Sequence, residues 1–268
     1  MPISPDGTAY DRTGPRDAPS VVLIHGLGLN REVWQWMLPA LSDTYDVVTY
    51  DLYGHGQSAA PPKTPSLALL STQLDGLMET LGVSSATIIG FSLGGMICRR
   101  FAQDYPQKTQ ALVILNSPHR RTPEAQTAIL ARVDQARDNG PQATVEHALQ
   151  RWFTDGFRAA NPNMMQRVRN WVLANDPAIY PTIYRVLAEG IDEITDPAIQ
   201  LSLPVFVITA DEDYGNGPEM TKAIAANIDG SEALILPGLR HMALAEDPDA
   251  VNHPIRAFLD SLSTNTNP

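Results

Sequence analysis

A single cysteine, Cys98, stands in 268 residues, so the chain closes no internal disulfide and suits a reducing compartment such as a bacterial cytosol. Cations are scarce, with 19 lysines and arginines against 30 acids and a net charge of −11. That balance argues against nucleic acid or an anionic membrane surface as the main partner. No segment approaches the ~18 apolar residues of a membrane span. Met1-Pro2-Ile3-Ser4-Pro5-Asp6-Gly7 has no basic stretch ahead of an apolar one, so no secretory leader is expected. There is no His-x-x-x-His and no cysteine pair, and therefore no metal site is expected. Repeats are absent, and the polar tail Ser263-Thr264-Asn265-Thr266-Asn267-Pro268 reads as a frayed end.

What is present is a soluble, globular composition, 43% hydrophobic and 18% charged. Short apolar, β-branched runs recur at Val21–Ile24, Asp46–Tyr50, Ala86–Ile89, Ala111–Leu115, Val205–Thr209 and Glu232–Leu236. Runs that are apolar on both faces and separated by helix-length segments predict buried parallel strands. Thr8 to Arg12 predicts a further edge strand. The fold class is therefore α/β, a mostly parallel sheet flanked by helices.

From His119 to Gln200 no strand-like run appears. Helical patterns occupy Thr122–Asp138, Thr144–Phe153, Met164–Ala174 and Tyr180–Ala188, with Pro162, Pro177 and Pro197 between or near them. About 80 residues is too long for one crossover, so residues 119–200 predict a helical cap inserted into a core made of 1–118 and 201–268. The insertion carries nine arginines and no lysine against ten acids. Most of these arginines belong on solvated helix faces, with one or two left to bind an anionic substrate.

Chemistry concentrates at three loops. Gly90-Phe91-Ser92-Leu93-Gly94 follows the strand-like Ile88-Ile89 and precedes an apolar helix from Leu93 to Phe101. Gly-x-Ser-x-Gly in that setting is a nucleophile elbow, a strained turn that lifts the serine hydroxyl above the sheet edge. His25-Gly26-Leu27-Gly28 also follows a strand, and its turn suits an oxyanion hole made by the Leu27 and Leu93 N–H groups. A dinucleotide loop is excluded there, because Arg31 stands where the last glycine of Gly-x-Gly-x-x-Gly belongs. His241 lies on a loop between the last strand and the last helix, where a general base reaches Ser92. An acid belongs after the preceding strand, and Asp211, Glu212 and Asp213 all compete for that role. Of the other histidines, His55 is a turn residue, His147 and His253 are surface residues, and His119 is a minor candidate for the cleft.

The order serine, acid, histidine on these loops resembles the α/β-hydrolases over nearly the whole chain, from His25-Gly26-Leu27-Gly28 to Phe258-Leu259. The turn Asp51-Leu52-Tyr53-Gly54-His55-Gly56 is similar to the one after that family's next strand. By the same resemblance, Ile208-Thr209-Ala210-Asp211-Glu212-Asp213 places the triad acid at Asp213. The segment Leu149-Gln150-Arg151-Trp152-Phe153-Thr154, with Phe157-Arg158 and Tyr180, is similar to the cap of 3-oxoadipate enol-lactonases. The resemblance implies a cofactor-free serine hydrolase of a small ester or lactone, with Ser92, His241 and Asp213 as its triad. Substrate contacts are then expected from His25, Arg151, Trp152, Arg158 and Tyr180. C–C bond hydrolases of aromatic ring-cleavage products and hydrolase-fold ligand receptors share these features and stay open as alternatives.

Overall fold

Seven strands form one sheet in this computed structural model, which describes residues 2–195 and 201–264. They are β1 (Tyr10–Thr13), β2 (Ser20–Ile24), β3 (Asp46–Tyr50), β4 (Ala86–Phe91), β5 (Thr109–Leu115), β6 (Val205–Ala210) and β7 (Glu232–Leu236). Their order is β1-β3-β2-β4-β5-β6-β7, with β1 antiparallel to β3 and every other pair parallel. β3, β4 and β6 are buried at every position, which is why their sequences are mostly apolar and β-branched rather than alternating, with the buried Asp46 of β3 paired to Arg12. β1 alternates half-buried with exposed residues, as an edge strand does. It begins two residues later than expected. Thr8 is taken instead by a turn, its N–H donating to Asp6 Oδ1 at 3.1 Å and its carbonyl accepting the Ser4 N–H at 2.9 Å.

Between β5 and β6 run the helices Pro123–Asn139, Val145–Trp152, Asp155–Ala160, Pro162–Leu173, Tyr180–Glu189 and Asp192–Thr195. Thr122 and Thr154 start two of them, each hydroxyl accepting an N–H three residues on. The four expected helical patterns all appear, with ends displaced by one or two residues. The short Asp155–Ala160 helix has no counterpart in the pattern, since six residues carry too little periodicity to read. Pro197 and the expected end of this segment near Gln200 lie outside the described residues. At the C-terminus the last helix, Pro248–Thr264, runs through Ser263 where fraying was expected, and 265–268 lie outside the described residues.

The strand order fixes where chemistry can sit. From β2 the chain moves to β3 on one side and then crosses to β4 on the other. The loops leaving β2 and β4 therefore separate, opening a crevice at the C-terminal edge of the sheet. Residues 25–29 leave β2 there, and Ser92 follows β4.

Candidate active site

Ser92 holds φ 55° and ψ −112°, a positive φ that L-residues rarely adopt. Packing enforces it. A Cβ on Gly90 would stand 2.2 Å from Gly94 O, and one on Gly94 would stand 2.1 Å from Ile24 O. Only glycine fits either place, so the turn presses against the end of β2. The Ser92 N–H donates to Leu115 O at 2.8 Å, tying the elbow to β5 as well. Ser92 opens the Leu93–Asp104 helix, yet its hydroxyl makes no capping bond and is left for the cleft.

Of the three competing acids, the structure brings Asp213 to His241. The His241 Nδ1 donates to Asp213 Oδ2 at 2.7 Å. Asp211 instead faces solvent and accepts the Gly238 N–H at 2.7 Å, and Glu212 meets Arg240 at 3.4 Å. Asp213 accepts three further bonds, from Asn116 Nδ2 at 2.9 Å and from the Gly215 and Asn216 N–H groups at 3.0 Å each. Burial works against its ionisation, but His241, Asn116 and the Asn216 N–H outweigh that and hold its pKa below the usual carboxylate value. The imidazole is packed between rings, with centroids 4.9 Å from Phe91 and 6.0 Å from Trp152. Asp213 is its only hydrogen-bond partner among the described residues, which leaves Nε2 toward the cleft.

The histidine loop is fastened to the helices above it. Arg240 Nη1 donates to Gln150 O at 3.0 Å and Phe153 O at 2.9 Å, and the Met242 N–H donates to Trp152 O at 2.9 Å. Glu246 accepts the Thr154 N–H at 2.7 Å and the Arg240 N–H at 2.8 Å.

The loop after β2 is braced from behind. His25 donates from Nδ1 to Gly26 O at 2.8 Å and accepts the Leu52 N–H at Nε2 at 2.9 Å. His55 accepts the Gly28 N–H at Nε2 at 3.0 Å, and its ring lies 5.2 Å from that of His25. Both nitrogens of His25 are thus spent on backbone and its ring is fully buried, so the structure places His25 behind the loop and not on the cleft wall where a substrate contact was expected. Among the described residues the N–H groups of Leu27 and Leu93 meet no protein acceptor, and they flank the Ser92 turn.

Ser92, Asp213 and His241 line one cleft with Gly26, Leu27, Phe91, Trp152 and Tyr180. Arg151 joins them. Arg158 does not, because it sits on the Asp155–Ala160 helix and pairs with Asp155 at 2.7 Å. His119 lies off the cleft as well, with Nε2 against Asn227 at 3.2 Å. Sequence reasoning missed Arg121, Arg132 and Tyr184, all on the cleft wall. Arg132 left a readable trace. Ile129, Val133 and Ala136 form the buried stripe of their helix, and Arg132 falls inside that i, i+3, i+4, i+7 spacing, where a solvated arginine does not belong. Arg121 precedes the helix and left no such sign.

Residues 19–248 match the family model of the alpha/beta hydrolase fold, and the chain belongs to that family. Among its relatives, an (E)-2-((N-methylformamido)methylene)succinate hydrolase of Acinetobacter baylyi is 28% identical over 241 residues, 90% of each chain. A 3-oxoadipate enol-lactonase of the same organism is 27% identical over 250 residues, covering 93% of this chain and 92% of the relative. The crystal structure of the enol-lactonase from Burkholderia xenovorans LB400 superposes with a TM-score of 0.88 at 26% identity, covering 94% of this chain and 96% of that one. No described helix is long and apolar enough to cross a membrane.

Proposed function

We propose that the protein hydrolyses a small carboxylic ester or lactone that carries a carboxylate, through an acyl-enzyme on Ser92. The observation that carries this is the Asp213–His241 pair, 2.7 Å apart, opening onto the same cleft as a serine in a strained turn. Ser92 Oγ attacks the carbonyl carbon while its proton passes to His241 Nε2. The oxyanion turns to the Leu27 and Leu93 N–H groups. The C–O bond then breaks, and the imidazolium returns the proton to the leaving oxygen, which in a lactone stays on the acyl chain. Water gives its proton to His241, attacks the acyl carbon, and releases the acid as Ser92 regains its proton. Asp213 keeps the proton on Nδ1, so that Nε2 is the base, and stabilises the imidazolium.

Arg151 is the proposed carboxylate contact. Its guanidinium is on the cleft and pairs with no carboxylate among the described residues. Trp152 and Tyr180 complete the wall around the acyl group. The relatives named for a succinate and for 3-oxoadipate enol-lactone support a carboxylate-bearing substrate. Residues 119–200 act as the cap that sets this choice. The buried lone thiol of Cys98 fits a cytosolic protein.

The test is hydrolysis of half-esters and carboxylated lactones beside their neutral methyl esters. The anionic substrates should have the higher kcat/KM, and Arg151→Gln should cut that preference by roughly tenfold to a hundredfold, the loss of one charged hydrogen bond. Equal rates on neutral and anionic partners in the unaltered protein reduce the reading to a general esterase.

A further inference from the structure

Four of the cap arginines, Arg137, Arg158, Arg169 and Arg185, each pair with an acid within 3 Å on their own or a neighbouring helix. Three do not. Arg121, Arg132 and Arg151 meet no carboxylate among the described residues, and these three line the cleft. Neutral acceptors orient them instead. Arg121 donates to Ala188 O at 3.2 Å and Leu187 O at 3.0 Å, Arg132 Nε to Tyr184 OH at 3.1 Å, and Arg151 Nε to His147 O at 3.3 Å. Such bonds fix a guanidinium without cancelling its charge. Among the described residues they also leave the Nη groups of Arg132 and Arg151 unused, and these belong to the fork that matches a carboxylate.

We propose that the cleft takes a substrate with two separate carboxylates besides the bond it cleaves, one at Arg151 and the second between Arg121 and Arg132. This rests on the hydrolase reading of the same cleft and narrows its substrate class to dianions. The charge count supports it. Three guanidiniums against the single carboxylate of Asp213 leave the cleft two positive charges in excess. A monoanion leaves one of them uncompensated in a half-buried space, and a dianion leaves none. Acylation does not upset the balance, since the oxyanion and the imidazolium appear together.

The two positions are anchored on different helices, Arg151 to His147 O and Arg121 to Leu187 O and Ala188 O. Arg151 adjoins Trp152, whose ring is 6.0 Å from His241, and feels the charges of Arg132 and Asp213. Arg121 is anchored at the far end of the Tyr180–Glu189 helix, and Arg132 and Arg99 are charged neighbours of it. Burial, with repulsion from Arg132 added to it, lowers the pKa of Arg121 to about 10, still cationic at neutral pH.

Calorimetry on the whole protein tests this with unreactive acids, so turnover is not required. Succinate, glutarate and adipate are titrated beside butyrate, pentanoate and hexanoate at constant ionic strength, with inorganic phosphate as a third arm. At least one dicarboxylate should bind more than about tenfold tighter than the monoacid of equal length, the worth of a second charged contact. Arg121→Gln and Arg132→Gln should each bring that ratio to within about twofold of one. The comparison in the unaltered protein stands even if a variant misfolds. Dicarboxylates that bind no tighter than monoacids overturn the proposal. So does phosphate binding as tightly as the best dicarboxylate, which would mean one dianionic group in place of two carboxylates. Failure of the hydrolase reading is read separately, by loss of phosphonate labelling at Ser92.

Discussion

Asp213 spends both carboxylate oxygens on four hydrogen bonds, and only one of those bonds reaches His241. The other three fix the carboxylate in place, so the imidazole has a single orientation to adopt. Asp213→Asn keeps the shape but allows the amide to donate to Nδ1, which moves the ring proton to Nε2 and removes the base. Its kcat should fall by about 10³–10⁴, whereas Asp211→Asn, at an exposed turn, should change kcat less than about threefold. Steady-state kinetics of the two variants decide this, and an equal loss at Asp211 contradicts the assignment. Ser92 and His241 stood out in the sequence because each follows an apolar strand, whereas Asp213 was separated from Asp211 and Glu212 only by family resemblance. Arg121 and Arg132 did not stand out, because an arginine's role depends on whether an acid stands opposite it, and that partner is set by helix packing. The reverse error befell Arg158. Its neighbourhood resembled a substrate-binding cap, but Asp155 one helical turn away neutralises it.

The loop after β2 shows how an element holds a site in shape. His25 and His55 are neutral cross-links between backbone segments, held so by burial, at pKa values of about 4 and about 3. In the unfolded chain each takes a proton near 6.5. Above that pH neither state carries the proton, and the rings add nothing to the pH dependence of stability. As pH falls below 6.5, only the unfolded state gains protons, so stability drops by roughly 1.4 kcal/mol per pH unit for each ring. The drop continues until the folded values are reached. Urea unfolding between pH 6.5 and 5 should show this slope, and His55→Gln should reduce it by about that amount. An unchanged slope in the variant would mean that His55 is protonated in the fold. Both rings lie next to glycines in turns, a pattern that marked the turns in the sequence but not the histidines' exchange of bonds across 27 residues. Strand edges were legible to within two residues, and β1 slipped only because Ser4, Asp6 and Thr8 form a competing local turn.

At the scale of the molecule, the sheet order converts chain order into a site. Crossing from one side of β2 to the other places the 25–29 loop beside Ser92, while β6 and β7 on the same side deliver Asp213 and His241. The helices between β5 and β6 then close over this edge, and Arg240 fastens them to the histidine loop. The parallel sheet was legible because strands buried on both faces are mostly apolar. The way the helices pack was not, since amphipathic stripes say which face is buried and not against what. The central claim is that Ser92 is the nucleophile, and it is tested most directly by mass. The protein is treated with an aryl fluorophosphonate, digested and sequenced by tandem mass spectrometry. The account predicts one adduct per chain, on Ser92, absent from Ser92→Ala and formed far more slowly in Asp213→Asn. An adduct on any other residue, or equal labelling of the Ser92→Ala protein, would contradict it.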